Sequence, residues 1–190
     1  IFKRTRRIFN STSFVVHRLT GACVLDHYSA GSYNHLYLPD KLAWSDELAP
    51  GAVDPALMPD LHWTTDIVGH VTRQAAQITG LAAGTPIIAG TIDAAAEAVS
   101  VGVTQPGQMM VMYGSTIFII QITAEAVREP RLWYAPWLFK GQHAAMAGIS
   151  TTDPVRTGAI ADALGKPITA LSAVRDRLLD RGIIVAPSTG

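Results

Sequence analysis

Apolar residues recur at helical spacing along the first half of the chain, in segments that end at glycines. Between residues 14 and 19 they fall about one turn apart, and Gly21 follows. This pattern predicts a helix that the glycine terminates. Residues 71–78 form a second short amphipathic segment, which ends at Gly80 in the same way and predicts a second helix.

A short apolar run directly precedes an alanine-rich stretch near the middle of the chain. Residues 84–90 are β-branched at their centre and bracketed by glycines, which is typical of a buried strand. Residues 94–99 have high helix propensity, and Asp93 stands immediately before them. The sequence therefore predicts a strand, a tight turn and a helix in quick succession, with Asp93 at the front of the helix.

Paired strands are predicted after the turn signal at residues 105–107. Two apolar runs, residues 109–113 and 117–122, are separated by Gly114, Ser115 and Thr116. Such a pair of runs around a glycine is typical of a β-hairpin. Helices alternate with short strands before this region and paired strands follow it, so we place a change of structural unit near residues 104–107.

Composition and charge narrow the class of partner. Hydrophobic residues make up 48% and charged residues 16% of the 190 positions, which is enough apolar material for a packed core. The 15 Lys and Arg balance the 15 Asp and Glu. This balance argues against nucleic acid or a membrane surface as the main partner, because both attract clustered positive charge. The basic run at residues 3–7 is interpreted as a solvated helix face.

Cysteine and histidine usage gives no sign of a metal site. Cys23 is the single cysteine, so no disulfide and no cysteine-based metal site can form within the chain. A reducing cytoplasm is therefore the simplest compartment. The six histidines show no paired ligand spacing, and no metal site built from protein residues is predicted.

Asp93 has two interpretations. A carboxylate at the front of a helix is commonly an N-cap, which stabilises the helix by about 1 kcal/mol. In open α/β sheets, however, ligands gather at the carboxyl ends of strands, and a carboxylate there can accept a proton from a substrate hydroxyl. The pattern alone leaves both open.

The segment Gly114, Ser115 and Thr116 also has two interpretations. Glycine lets a backbone approach a phosphate closely, and the two hydroxyls beside it can donate hydrogen bonds to phosphate oxygens. An ordinary hairpin turn with polar residues explains the same three positions.

Taken together, these segments resemble the signature of a known enzyme family. One segment resembles the sequence around the catalytic aspartate of the FGGY carbohydrate kinases, which include xylulokinase, glycerol kinase and ribulokinase. It runs from Gly80 through Gly84-Thr85-Pro86-Ile87-Ile88-Ala89-Gly90 to Asp93-Ala94-Ala95-Ala96. The Pro106-Gly107 turn, strand and glycine segment are similar to that family's hairpin. Upstream, Arg18-Leu19-Thr20-Gly21, Asp26-x-Tyr28-Ser29 and Trp44-Ser45 fall in family order.

The resemblance implies a fold and a division of the chain. The expected fold is α/β, of the actin-like ATPase (ribonuclease H-like) two-domain architecture, with only the middle portion present. Residues 1–103 would be the C-terminal part of the sugar-binding N-terminal domain. Residues 104–190 would begin the ATP-binding C-terminal domain, with a deletion or gap after about residue 152.

The resemblance also implies an activity, ATP-dependent phosphorylation of a sugar or polyol hydroxyl. Asp93 would be the general base, and Gly114, Ser115 and Thr116 would contact the phosphates of ATP, which carry Mg²⁺. A pentulose such as xylulose is the favoured substrate, and a homodimer is the default assembly. The alternative is a truncated, non-catalytic sugar- or nucleotide-binding module, because the family's N-terminal phosphate loop and adenosine-binding segment are not found in this sequence.

Overall fold

The computed structural model describes residues 4–33, 35–113 and 117–149, which contain short helices and strands in mixed order. The chain runs α1 (Ser11–Thr20), β1 (Val24–Asp26), α2 (His27–Ala30), β2 (Tyr37–Leu38), β3 (Ala43–Trp44), a 3₁₀ turn (Pro55–Leu57), β4 (Asp60–His62), β5 (Ile67–His70), α3 (Arg73–Thr79), β6 (Pro86–Ile88), α4 (Asp93–Ser100), β7 (Met109–Tyr113), β8 (Ile117–Thr123), β9 (Trp133–Pro136) and β10 (His143–Ile149). Among the described residues, no helix is long and apolar enough to cross a membrane.

The two predicted glycine-terminated helices are confirmed as α1 and α3. Asn10 caps α1 by accepting the Ser13 N–H at 2.7 Å, and Gly21 closes it at φ +85°. Thr72 caps α3 by accepting the Ala75 N–H at 3.1 Å, and Gly80 closes it at φ +78°. A left-handed C-terminal residue favours glycine because it carries no Cβ, which is why the sequence marks both ends.

Short two-stranded sheets make up the first part of the fold. β1 runs parallel to β4, β2 pairs with β3, and β5 runs antiparallel to β6. The predicted strand within residues 84–90 is confirmed as β6, but its predicted burial is wrong. Ile88 is 47% exposed and its register partner Ile67 is 62% exposed. A two-stranded sheet leaves a face open unless another element covers it, and within the described residues none covers these two side chains.

The second part is a four-stranded antiparallel sheet with the order β7-β8-β10-β9. Register pairs from Met109↔Gln121 to Tyr113↔Ile117 confirm the predicted hairpin. The main core lies where this sheet meets the helices of the first part. Its buried members include Ala95 and Ala98 of α4, Tyr28 of α2, the sheet residues Ile120, Ile122 and Ala144, and Trp137, which follows β9.

Helix α2 lies against β9 with almost no intervening space. The Tyr28 ring meets the Trp137 ring edge-on at 5.3 Å between centroids, and the Tyr28 hydroxyl donates to Met146 Sδ at 3.1 Å. A Cβ added at Gly31 would lie 2.9 Å from the Cβ of Ala135 and 3.1 Å from the Tyr28 carbonyl oxygen. Neither atom is the end of a flexible side chain, so a glycine at position 31 allows this close approach.

Gly31→Ala is expected to lower the free energy of unfolding by about 1–3 kcal/mol, because the new methyl group forces α2 away from β9. Gly148→Ala is the matched control, since its Cβ would meet Trp133 at 3.5 Å, an ordinary contact. Urea denaturation of both variants measures the difference. Equal stability of the two variants would show that α2 can shift without loss.

Candidate active site

The turn between β6 and α4 is held by hydrogen bonds to two other segments of the fold. Gly90 has φ +72°, and its N–H donates to the Thr64 carbonyl oxygen at 3.1 Å. The Thr12 hydroxyl of α1 donates to the Thr91 carbonyl oxygen at 2.9 Å. The backbone that leads into α4 is therefore held by two separate parts of the fold.

Asp93 is the first residue of α4 and its side chain is exposed. Its Oδ1 accepts the N–H of Ala94 at 2.8 Å. The N-cap position belongs to Ile92, which offers no capping side chain, so Asp93 is not the N-cap of the helix. Its negative charge is nevertheless favourable in the first turn, where the helix dipole is positive.

A cleft of about 630 Å³ borders the start of α4. This volume lies within the range of about 300–1,000 Å³ that is usual for small-molecule sites. Its walls come from α2 and the loop after it, from the two neighbours of Asp93, and from the antiparallel sheet: Tyr28, Gly31, Ser32, Pro39, Ile92, Ala94, Phe118, Leu132, Trp133, Tyr134 and Met146. The backbone that carries Asp93 thus lies at the edge of a cavity large enough for a sugar.

The predicted phosphate-binding residues Gly114, Ser115 and Thr116 lie outside the described residues, and their role stays a prediction. The strands on either side are described, with Tyr113 and Ile117 as register partners. Phe118, the next residue of β8, lines the cleft. One end of the hairpin therefore belongs to the same cavity as the neighbours of Asp93.

Sequence reasoning missed the buried carboxylate of Asp26, which ends β1 and is only 1% exposed. The Thr64 hydroxyl donates to its Oδ2 at 3.0 Å. Burial raises the pKa of Asp26, while the hydroxyls of Ser29, Thr91 and Thr64 act in the opposite direction. The available signal was an aspartate directly after the apolar pair Val24–Leu25, at the carboxyl end of a strand.

Tyr28 lines the cleft, and its hydroxyl is affected by both carboxylates. Burial raises the pKa of its hydroxyl, and the negative charges of Asp26 and Asp93 raise that pKa further. The phenol therefore stays protonated at neutral pH and donates to Met146.

Comparison with known proteins gives the family. The model of the FGGY family of carbohydrate kinases, N-terminal domain, matches residues 1–100, more than half of the chain. The chain belongs to the FGGY family. A second model, for a domain of unknown function, matches residues 142–190.

Individual FGGY kinases are similar in sequence and in structure. An autoinducer-2 kinase from Yersinia enterocolitica is 29% identical over 115 residues, which cover 60% of this chain and 22% of that protein. A xylulose kinase from Rhodospirillum rubrum has a TM-score of 0.70 at 28% identity, covering 77% of this chain and 30% of that one. A Plasmodium falciparum glycerol kinase solved with ADP has a TM-score of 0.66 at 18% identity, over 96% of this chain and 33% of that one, and at this identity shows the fold alone.

These likenesses confirm the predicted α/β, actin-like ATPase fold, of which the chain covers a portion. The chain spans 22% of the length of the curated relatives that it matches. The proposed division at residues 103 and 104 stays a prediction, and the suggested gap after about residue 152 falls outside the described residues.

Proposed function

We propose that the protein carrying this FGGY chain transfers the γ-phosphate of ATP to a hydroxyl of a sugar or polyol, with Asp93 as the general base. The observation that carries this proposal is the exposed Asp93 carboxylate at the start of α4, between two residues that line the cleft. A base must lie within reach of the hydroxyl proton that it removes, and the position of Asp93 between two cleft-lining residues supports such a role.

The two carboxylate oxygens of Asp93 have different roles in this proposal. Oδ1 is engaged by the helix N–H of Ala94, which limits rotation of the carboxylate. Within the described part of the chain, no hydrogen bond or ion pair engages Oδ2, which is free to accept the proton of a substrate hydroxyl. The hydroxyl oxygen then forms a bond to the γ-phosphorus, the bond from that phosphorus to the bridging oxygen breaks, and ADP leaves. Such general-base assistance contributes about 10²–10⁴-fold in rate.

ATP enters as its Mg²⁺ complex, because Mg²⁺ keeps most of its water and is usually held through the phosphates of the substrate. Gly114, Ser115 and Thr116 remain the proposed phosphate contacts. Family membership supports this role, as does the position of the hairpin, whose residue Phe118 lines the cleft. Neutral donors beside the phosphates would stabilise the charge that develops during transfer.

A pentulose such as xylulose is the proposed acceptor, supported by the 28% identity to the Rhodospirillum rubrum xylulose kinase. Autoinducer-2 is a second candidate acceptor, favoured by the 29% identity to the Yersinia enterocolitica autoinducer-2 kinase. The cleft itself offers stacking surfaces, since the Phe118 and Trp133 rings lie 6.0 Å apart and Trp133 is 56% exposed. Aromatic faces of this kind suit the C–H surface of a sugar.

A homodimer and a cytoplasmic location stay predictions.

The proposal is tested by coupling ADP formation by the full-length gene product to a spectrophotometric assay. The acceptors are xylulose, ribulose, glycerol, gluconate and autoinducer-2, each with Mg²⁺ and ATP. We expect acceptor-dependent ADP formation with one of them, and binding of Mg²⁺-ATP in a calorimetric titration. Failure to bind nucleotide would instead support the non-catalytic module.

A further inference from the structure

A buried carboxylate lies beneath the turn that precedes Asp93. Asp26 ends β1 with 1% of its surface exposed, and Thr64, which donates its hydroxyl to Asp26 Oδ2 at 3.0 Å, is 7% exposed. Buried carboxylates are costly and persist where neighbouring donors compensate them. The described residues place no Lys, Arg or His in an ion pair with Asp26, so hydroxyl groups supply that compensation.

Thr64 connects this carboxylate to the turn before α4. Its side chain donates to Asp26, while its carbonyl oxygen accepts the N–H of Gly90 at 3.1 Å. Thr64 therefore holds the turn before α4 through its backbone carbonyl, and its own side chain is oriented by Asp26. Asp93 follows only three residues after Gly90, so a shift of Thr64 moves the start of α4.

Two more hydroxyls act on the same carboxylate. The Ser29 and Thr91 hydroxyls are buried, form no hydrogen bond within the described residues, and act to lower the pKa of Asp26. Thr91 belongs to the turn itself, and its carbonyl oxygen is held from the other side by Thr12 at 2.9 Å. The turn is thus held by Thr12 on one side and by Thr64, which donates to Asp26, on the other.

We propose that Asp26 is a positioning residue which, through Thr64, fixes the orientation of the Asp93 carboxylate against the acceptor hydroxyl. This inference rests on the proposed function, because it requires Asp93 to be the base. A displacement of about 1 Å at a reacting group can cost about 10²-fold in rate. A support built from short, buried side chains is suited to prevent such a displacement.

The test compares Asp26→Asn, Thr64→Val and Thr64→Ser in the full-length gene product. Asp26→Asn and Thr64→Val are each expected to lower kcat by about 10–100-fold, with KM for the acceptor changed by less than about threefold. Thr64→Ser keeps the hydroxyl and is expected to restore most of kcat. The double variant Asp26→Asn/Thr64→Val is expected to be no slower than the worse single variant, because both changes break one connection.

Thr85→Val is the matched control, since the Thr85 hydroxyl is exposed and donates only to the nearby Ala82 carbonyl oxygen. Its kcat is expected to equal that of the wild type. If Asp26→Asn does not fold, the contrast between Thr64→Val and Thr64→Ser decides the question alone. An unchanged kcat in Thr64→Val, together with a large loss in Asp93→Asn, would overturn the positioning role while leaving the general base in place. Full activity of Asp93→Asn would instead remove the proposed function on which this role depends.

Discussion

Asp93→Asn is expected to lower kcat for phosphoryl transfer by about 10²–10⁴-fold, because the amide cannot accept the proton of the acceptor hydroxyl. The Asn side chain has nearly the same shape and keeps an oxygen that can accept the Ala94 N–H, now received by Oδ1 at 2.8 Å. The fold and the cleft should therefore persist. Steady-state kinetics with saturating Mg²⁺-ATP, together with thermal melting of both proteins, measure the two effects separately.

Glu97→Gln is the matched control for this change. Glu97 lies one turn after Asp93 on the same helix and is exposed, so Glu97→Gln removes a similar charge at a position whose chain neighbours do not line the cleft. Its kcat is expected to stay within about twofold of the wild type. A fully active Asp93→Asn protein would reduce Asp93 to a favourable charge in the first turn of α4, a role that affects stability by about 0.3–1 kcal/mol.

Trp137→Ala is expected to lower the free energy of unfolding by about 3–5 kcal/mol. Trp137 is fully buried in the core where the antiparallel sheet meets α2 and α4, with its ring edge-on to Tyr28. The substitution removes the ring contact with Tyr28 and leaves a cavity that the packed strands cannot fully close. Denaturation by guanidinium chloride, followed by circular dichroism, measures the loss.

Trp133→Ala controls for the general effect of removing an indole. Trp133 is 56% exposed on the same stretch of chain, so its loss is expected to cost less than about 1 kcal/mol. Trp137→Phe provides a second comparison. It keeps most of the apolar volume and removes a buried indole N–H that has no partner among the described residues, so it should cost less than Trp137→Ala. Equal losses for the alanine variants at 133 and 137 would contradict the burial of Trp137.

The helices and the hairpin could be predicted because their signals are local. Gly21 and Gly80 each follow a run with helical spacing, and both adopt the left-handed conformation that ends a helix. The start of α4 at Asp93 was predicted from the alanine-rich stretch after it and is confirmed. Helix propensity and helix-terminating residues act over a few positions, so they can be recognised directly in the sequence.

The burial of individual side chains could not be predicted in the same way. Asp26 was named only as part of the family resemblance, and its burial follows from the placement of Thr64, 38 positions away, against it. Ile88 looked like a core residue, yet its strand pairs only with β5 and leaves the side chain exposed. Both outcomes depend on contacts between distant segments, which local pattern does not specify.

The candidate site was predicted in part. Sequence pattern and family resemblance together singled out Asp93, and the structure places its neighbours Ile92 and Ala94 on the wall of the cleft. The same reasoning did not find the aromatic wall formed by Phe118 and Trp133, because those residues lie on β8 and β9, which become close neighbours only through their shared partner β10. The relation of Asp93 to Gly114 stays a prediction.

A crystal structure of the full-length gene product with the accepted sugar and a non-hydrolysable ATP analogue tests the general-base role most directly. The expected result is a sugar hydroxyl about 2.6–3.2 Å from an oxygen of Asp93, with the hydroxyl oxygen in line with the γ-phosphate. A sugar bound in the cleft with every hydroxyl beyond direct or single-water reach of Asp93 would contradict the role assigned to this carboxylate.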